Sequence, residues 1–158
     1  MDLIEELIGL CSAFDAAGVE YAVCGGIALA IHGHPRFTKD IDILIRANDL
    51  ERALAAAAKI GFILEGGKIT FRTGTPDERS MFRVSRARGS HLITLDLLLA
   101  GPAYESVWRS RRTVDFQGRV VAVVSREGLI EMKLAAGRGQ DLLDIEKLRE
   151  STPRDDRA

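Results

Sequence analysis

Cys24-Gly25-Gly26, a spacer from Ile27 to Lys39, then Asp40-Ile41-Asp42-Ile43: the fold is decided in this stretch. Asp40 to Arg46 alternates acidic and aliphatic residues in period two, which is the pattern of a strand. Residues two apart on a strand share a face, so Asp40 and Asp42 project together while Ile41 and Ile43 turn to the core. Their Cα atoms are expected about 6.6 Å apart at ~3.3 Å per residue. Two carboxylates that close repel unless a cation neutralises them. Magnesium suits them, because it prefers oxygen and takes only one or two carboxylates, leaving room for phosphate oxygens.

Upstream, Val19 to Cys24 is a short apolar strand that stops at Gly25-Gly26, and Ile27 to Ile31 reads as a short helix broken by Gly33, His34 and Pro35. Glycine there allows a phosphate to approach the backbone, and a helix start adds free N–H donors. Before it, apolar residues recur at helical spacing over residues 2 to 17, closed by Gly18. Downstream, Asn48 and Glu51 look like a capping box for an alanine-rich helix reaching Ile60. Residues 61 to 64, 68 to 73, 79 to 86 and 91 to 99 read as strands, and 103 to 110 as a short helix. Arg112 to Phe116 and Arg119 to Val124 flank Gln117-Gly118 as a hairpin. Ser125 is placed to cap a helix over 126 to 136, and a last helix runs from about Gln140 to Glu150. The expectation is a single α/β (α+β) domain over residues 1–150, a mixed sheet with helices packed on it, and a flexible polar tail over 151–158.

A second acid interrupts an apolar strand at Leu95-Asp96-Leu97. A buried carboxylate needs a partner. Beside the Asp40–Arg46 strand, Asp96 would complete a three-carboxylate site able to hold metal for an in-line displacement and to draw the proton from an attacking hydroxyl. The competing reading pairs Asp96 with an arginine. Arg79, Arg83, Arg86 and Arg88 form one basic run and Arg109, Arg111 and Arg112 another. They read either as a solvated edge that deters strand pairing or as a face for an RNA or protein acceptor. His32 and His34 read as loop residues rather than ligands, since magnesium prefers oxygen.

Overall charge is −1, from 22 basic and 23 acidic residues in 158, which does not advertise a nucleic-acid binder. Cys11 and Cys24 are too few for a disulfide framework or zinc finger and read as buried thiols. The acidic N-terminus does not resemble a signal peptide, and no apolar run approaches the ~20 residues that span a bilayer. A soluble, cytoplasmic protein without a membrane partner is expected.

Gly-Gly, a spacer, acid-apolar-acid and a later third acid resemble the DNA polymerase beta-like nucleotidyltransferase superfamily. The fuller segment Gly25-Gly26-Ile27-Ala28 through His32-Gly33, Arg36, Thr38 and Asp40 resembles the small prokaryotic branch near the AbiEii-type toxin nucleotidyltransferases. The resemblance spans about residues 19 to 150. It implies a nucleotidyltransferase-like fold and an enzyme in which Asp40, Asp42 and Asp96 bind Mg2+. It also implies that Gly25, Gly26, Arg36 and Thr38 hold a nucleoside triphosphate. The pattern Lys133…Arg138…Asp141…Asp144 also resembles this group, where a lysine and a later aspartate complete the active site. Lys133 is carried over on that basis, with Asp141 and Asp144 as rival positions for the aspartate. Gly26 departs from the serine of many members, removing a hydroxyl that bonds phosphate. The chain is also shorter than the full-length toxins. The implied activity moves a nucleoside monophosphate from an NTP such as ATP to an RNA, protein or small-molecule hydroxyl. The alternative is a non-catalytic nucleotide-binding protein, or a toxin–antitoxin partner, of the same fold.

Overall fold

A computed structural model describes residues 3–150. The first helix, α1 (Leu3–Ala17), buries Leu7, Leu10, Cys11 and Phe14 on one stripe and ends at Gly18, whose φ of 69° closes the turn. Complete burial of a side chain such as Phe14 stabilises the fold by roughly 1.5–3 kcal/mol. Strand β1 (Ala22–Cys24) leads directly into α2 (Gly25–Ile31), so the two glycines form the first turn of the helix. Strand β2 spans Asp40–Arg46, as the alternation predicts.

The Asn48–Glu51 capping box does not form. Ala47–Asp49 is a 3-10 turn, and Asp49 stands at the N-cap of α3 (Leu50–Lys59) without a side-chain capping bond. The strands expected at 61–64 and 68–73 are one strand, β3 (Leu64–Phe71), with a bulge between Glu65 and Gly67. The bulge absorbs the residue whose phase broke the alternation. Then come β4 (Arg79–Arg88), β5 (His91–Ala100), a 3-10 turn at Pro102–Tyr104 and α4 (Glu105–Arg109). Hairpin β6 (Arg112–Phe116) and β7 (Arg119–Val123) turns on Gln117 and Gly118, both at positive φ as a two-residue primed turn requires. Helix α5 (Arg126–Ala136) is capped by Ser125, whose Oγ accepts the Gly128 N–H at 2.9 Å, and is closed by Gly137 in the left-handed conformation. Helix α6 is Gly139–Glu150, and the expected tail at 151–158 lies outside the described residues.

All seven strands join one mixed sheet in the order β3-β4-β5-β2-β1-β7-β6. β2 runs parallel to β5 and antiparallel to β1 at the centre. Ile41, Ile43, Leu95 and Leu97 are fully buried on one face. Glu6 of α1 pairs with Arg86 and Arg88 on that same side of β4, and α1 packs on α3. The opposite face carries Asp42, Asp96 and Arg83 in register, and α5 covers it with Leu129, Met132 and Lys133. Among the described residues, no helix is long and apolar enough to cross a membrane.

Candidate active site

One register row crosses the sheet: Cys24 on β1 faces Asp42 on β2, which faces Asp96 on β5, which faces Arg83 on β4. Asp40 stands one step along β2 on the same face. These residues line a cavity of about 440 Å³ with Gly25, Lys133, Arg138 and Asp141. Phe71, Arg79, Met81 and Tyr104 line it too, with Arg79 5.8 Å from the Tyr104 ring centroid.

The three predicted acids meet, but their states differ. Asp96 is 5% exposed and accepts both arms of Arg83, Nε to Oδ1 at 2.8 Å and Nη2 to Oδ2 at 3.0 Å. The arginine-paired reading of Asp96 therefore describes its contacts, and Asp96 holds the Arg83 guanidinium firmly protonated through that bond. The side chains of Asp40 and Asp42 make no hydrogen bond or ion pair among the described residues. Burial, and then the charges of Asp96 and Asp40, push the Asp42 carboxyl up to about 7. Among the described residues no group of three or more His, Cys, Asp or Glu side chains is disposed to hold a metal as it stands. Arg83 sits on the third acid. The unpartnered Asp40–Asp42 pair, with its excess of negative charge and oxygen-only donors, nonetheless fits a hard cation that needs only one or two carboxylates.

Gly25 and Gly26 are demanded from within. Gly25 has φ of 64°, and a Cβ there would lie 2.1 Å from Asp42 Oδ2; a Cβ at Gly26 would lie 2.8 Å from Thr38 Oγ1. Gly25 lines the cavity, whereas Gly26 is buried beneath Thr38, which fills the space that a serine at position 26 would need. Gly25→Ala should lower stability by about 2 kcal/mol, from left-handed strain plus displacement of Asp42. Urea titration of the variant checks this, and an unchanged midpoint would show that the backbone there is not held.

Lys133 is 5% exposed, with Nζ 2.9 Å from Asp144 Oδ2 and 3.7 Å from Asp141 Oδ1. Both rival aspartates thus face the lysine, in different roles. Asp144 also accepts Arg36 Nε at 3.2 Å, Arg36 Nη2 at 3.0 Å and Gln140 Nε2 at 2.9 Å. Asp141 lines the cavity and accepts Arg138 Nε at 2.7 Å. Burial pushes both carboxyls up, but the hydrogen bonds from Lys133, Arg36 and Gln140 on Asp144, and from Arg138 on Asp141, win and hold both below the usual range. Arg36 and Thr38 do not line the cavity. Arg36 braces Asp144 from behind, and the Thr38 hydroxyl donates to the Asp40 carbonyl at 3.4 Å.

The basic runs are internally tied. β4 lies inside the sheet, so the solvated-edge reading fails for the first run, whereas Arg112 of the second stands on the edge strand β6. Arg79 donates to the Ala135 carbonyl at 3.4 Å, Arg86 and Arg88 clamp Glu6, Arg109 pairs with Glu105, and Arg111 pairs with Glu20. His32 Nε2 lies 2.9 Å from the Val124 carbonyl, and His34 lies beside Lys147 and Glu150, outside the cavity that holds Asp40, Asp42 and Asp96. The Cys24 thiol lines the cavity, but burial, and then the Asp42 charge, push its pKa well up and keep it protonated and unreactive.

Sequence reasoning missed Arg83, Arg79, Tyr104 and Phe71 as cavity residues. The signal for Arg83 was available, because the tight Gly89-Ser90 turn pairs Arg88 with His91 and so sets Arg83 opposite Asp96.

Comparison with known proteins bears on the family and the fold. The family model for the nucleotidyl transferase AbiEii toxin of a type IV toxin–antitoxin system matches residues 10–158. The fold is similar to that of a candidate nucleotidyltransferase from Thermotoga maritima, at TM-score 0.64 and 17% identity over 94% of this chain and 93% of that one. It is also similar to ANT(2″)-Ia solved with adenylyl-2″-tobramycin, at TM-score 0.58 and 14% identity over 90% and 84% of the two chains. A comparison with curated protein sequences returns no match.

Proposed function

Because the chain belongs to the AbiEii nucleotidyl transferase family, we propose that its cavity binds magnesium and a nucleoside triphosphate and passes the nucleoside monophosphate to an acceptor hydroxyl. The observation that carries the reading is the unpaired Asp40–Asp42 pair beside Asp96 in a cavity whose other charged walls are Arg79, Arg83, Lys133, Arg138 and Asp141. Asp40 and Asp42 would hold the cation, with Asp96 completing its carboxylates. Magnesium supplies neutralisation of charge at the phosphates. The cationic walls suit a triphosphate, and Lys133, fixed by Asp144, presents a held ammonium to it.

In the transfer, the acceptor oxygen bonds to the α-phosphorus, and the bond from that phosphorus to the bridging oxygen breaks. Pyrophosphate leaves, and the hydroxyl proton is drawn to Asp96. Little covalent chemistry is asked of the protein, so positioning and electrostatics supply the rate. The fold shared with ANT(2″)-Ia, whose complex holds an adenylylated antibiotic, supports a hydroxyl acceptor. RNA, protein or a small molecule meets that chemistry. The proposal includes a cognate antitoxin as partner, following the toxin–antitoxin description of the family.

The test incubates the protein with each α-labelled nucleoside triphosphate, magnesium and total cell RNA and protein. Label should move to one acceptor class from the wild type and not from an Asp40→Ala/Asp42→Ala control. Nucleotide binding without transfer to any pool would favour the binding-protein reading instead.

A further inference from the structure

The third carboxylate carries its own counter-ion, which makes Arg83 more than a wall residue. Its side chain is 43% exposed while Asp96 is 6% exposed, so the guanidinium lies at the solvent side of a bond whose acid cannot leave. The stem of Arg83 packs against the glycine bulge of β3, where a Cβ at Gly66 would lie 3.0 Å from Arg83 Cγ, and Gly67 adds no side chain either. The absence of a side chain at Gly66 thus seats the stem of Arg83 on β3, while its guanidinium stands at the solvent side. The cavity's charged walls are four acids, Asp40, Asp42, Asp96 and Asp141, against four bases, Arg79, Arg83, Lys133 and Arg138. A cation arriving at the acids frees one base, and a triphosphate arriving needs one.

Resting on the magnesium–triphosphate reading above, we propose that Arg83 is an exchangeable counter-ion. It neutralises Asp96 until ligands bind, then leaves it for the triphosphate when cation and nucleotide enter together. Arg83 thereby couples the two ligands. A cation alone must displace Arg83 and leave the guanidinium without an anion. A triphosphate alone finds Arg83 already engaged. Each ligand therefore strengthens the other, and the coupling is reciprocal. Arginine suits the task because its planar fork matches carboxylate and phosphate alike.

The experiment uses manganese(II) as the cation probe and inorganic tripolyphosphate as a base-independent anion probe, read by isothermal titration and electron paramagnetic resonance. In Arg83→Gln, manganese alone should bind at least about threefold more tightly than in the wild type, because Asp96 is freed. Manganese–tripolyphosphate should bind about tenfold more weakly, a change of ~1.4 kcal/mol. Arg83→Lys, which keeps the charge but not the fork, should fall between on both readouts and guards against misfolding of the glutamine variant. A purely structural role for Arg83 predicts weaker binding of both probes, and that result, or no change in manganese affinity, overturns the proposal. Asp42→Asn is titrated in parallel. If it leaves manganese binding intact, the metal-site reading itself fails; if it abolishes binding while Arg83→Gln tightens nothing, only the role of Arg83 fails.

Discussion

Asp42→Asn should abolish nucleotidyl transfer and yet stabilise the metal-free protein at pH 8. The loss of activity is expected to be at least about 10³-fold, ~4 kcal/mol, because the central charge of the carboxylate row is gone. Isothermal titration of Asp42→Ala should likewise show magnesium-dependent nucleotide binding lost. The gain in stability follows from the elevated carboxyl of Asp42, about 7 against an ordinary value of 3.8. A carboxyl whose folded value is raised favours folding while protonated. Its contribution is complete below the unfolded value and is lost as pH rises through about 7. In chelator, the wild type should therefore weaken between pH 4 and 8 by on the order of 4 kcal/mol relative to Asp42→Asn. Thermal melts at pH 5 and pH 8 read this directly: the two proteins should differ more at the higher pH. Saturating magnesium should close the gap for the wild type only. A pH-independent difference would mean that Asp42 is not under this electrostatic pressure.

Asp144→Ala should cost the most stability of any single change at the site, about 3–5 kcal/mol. Asp144 is fully buried and accepts from Lys133, Arg36 and Gln140. Its removal strands a buried ammonium whose remaining partner is Asp141 at 3.7 Å. For a chain of this size the melting temperature should fall by roughly 10 °C. Lys133→Met added to Asp144→Ala should recover part of the loss, since the buried ammonium is then gone and only the partly exposed Arg36 lacks its partner, and a double-mutant cycle isolates the Lys133–Asp144 pair. Additive losses would show that Asp144 acts through helix packing rather than through Lys133.

Much of this arrangement was legible in the residues. The alternation from Asp40 to Arg46 defined β2 to the residue, and Ser125 with Gly137 bounded α5, because strand period and caps are local signals. That Asp40 and Asp42 share a face followed from the pleat alone. The β3 region was less legible. A bulge shifts the phase of alternation, and mostly exposed residues carry little apolar pattern to correct it. The box at Asn48 failed because the chain enters α3 through a 3-10 turn. Arg36 and Thr38 were placed by resemblance near phosphate. The chain instead ties them to Asp144 and to the Asp40 backbone, contacts more than a hundred residues apart for Arg36, which no local pattern encodes.

The parallel pairing of β2 with β5 also governs when the site comes into being. Residues 40–46 meet 94–100 only after the long segment between them has been laid down. The β3–β4–β5 meander, joined by near neighbours, is expected to assemble first and dock as a unit, since loop closure favours contacts near in sequence. Lys133, Arg138 and Asp141 are synthesised later still. A ribosome-bound chain therefore carries Asp40 and Asp42 with no finished cavity around them until some hundred residues later, about the separation of Asp42 and Asp141. The cavity thus cannot be complete before Asp141 has emerged.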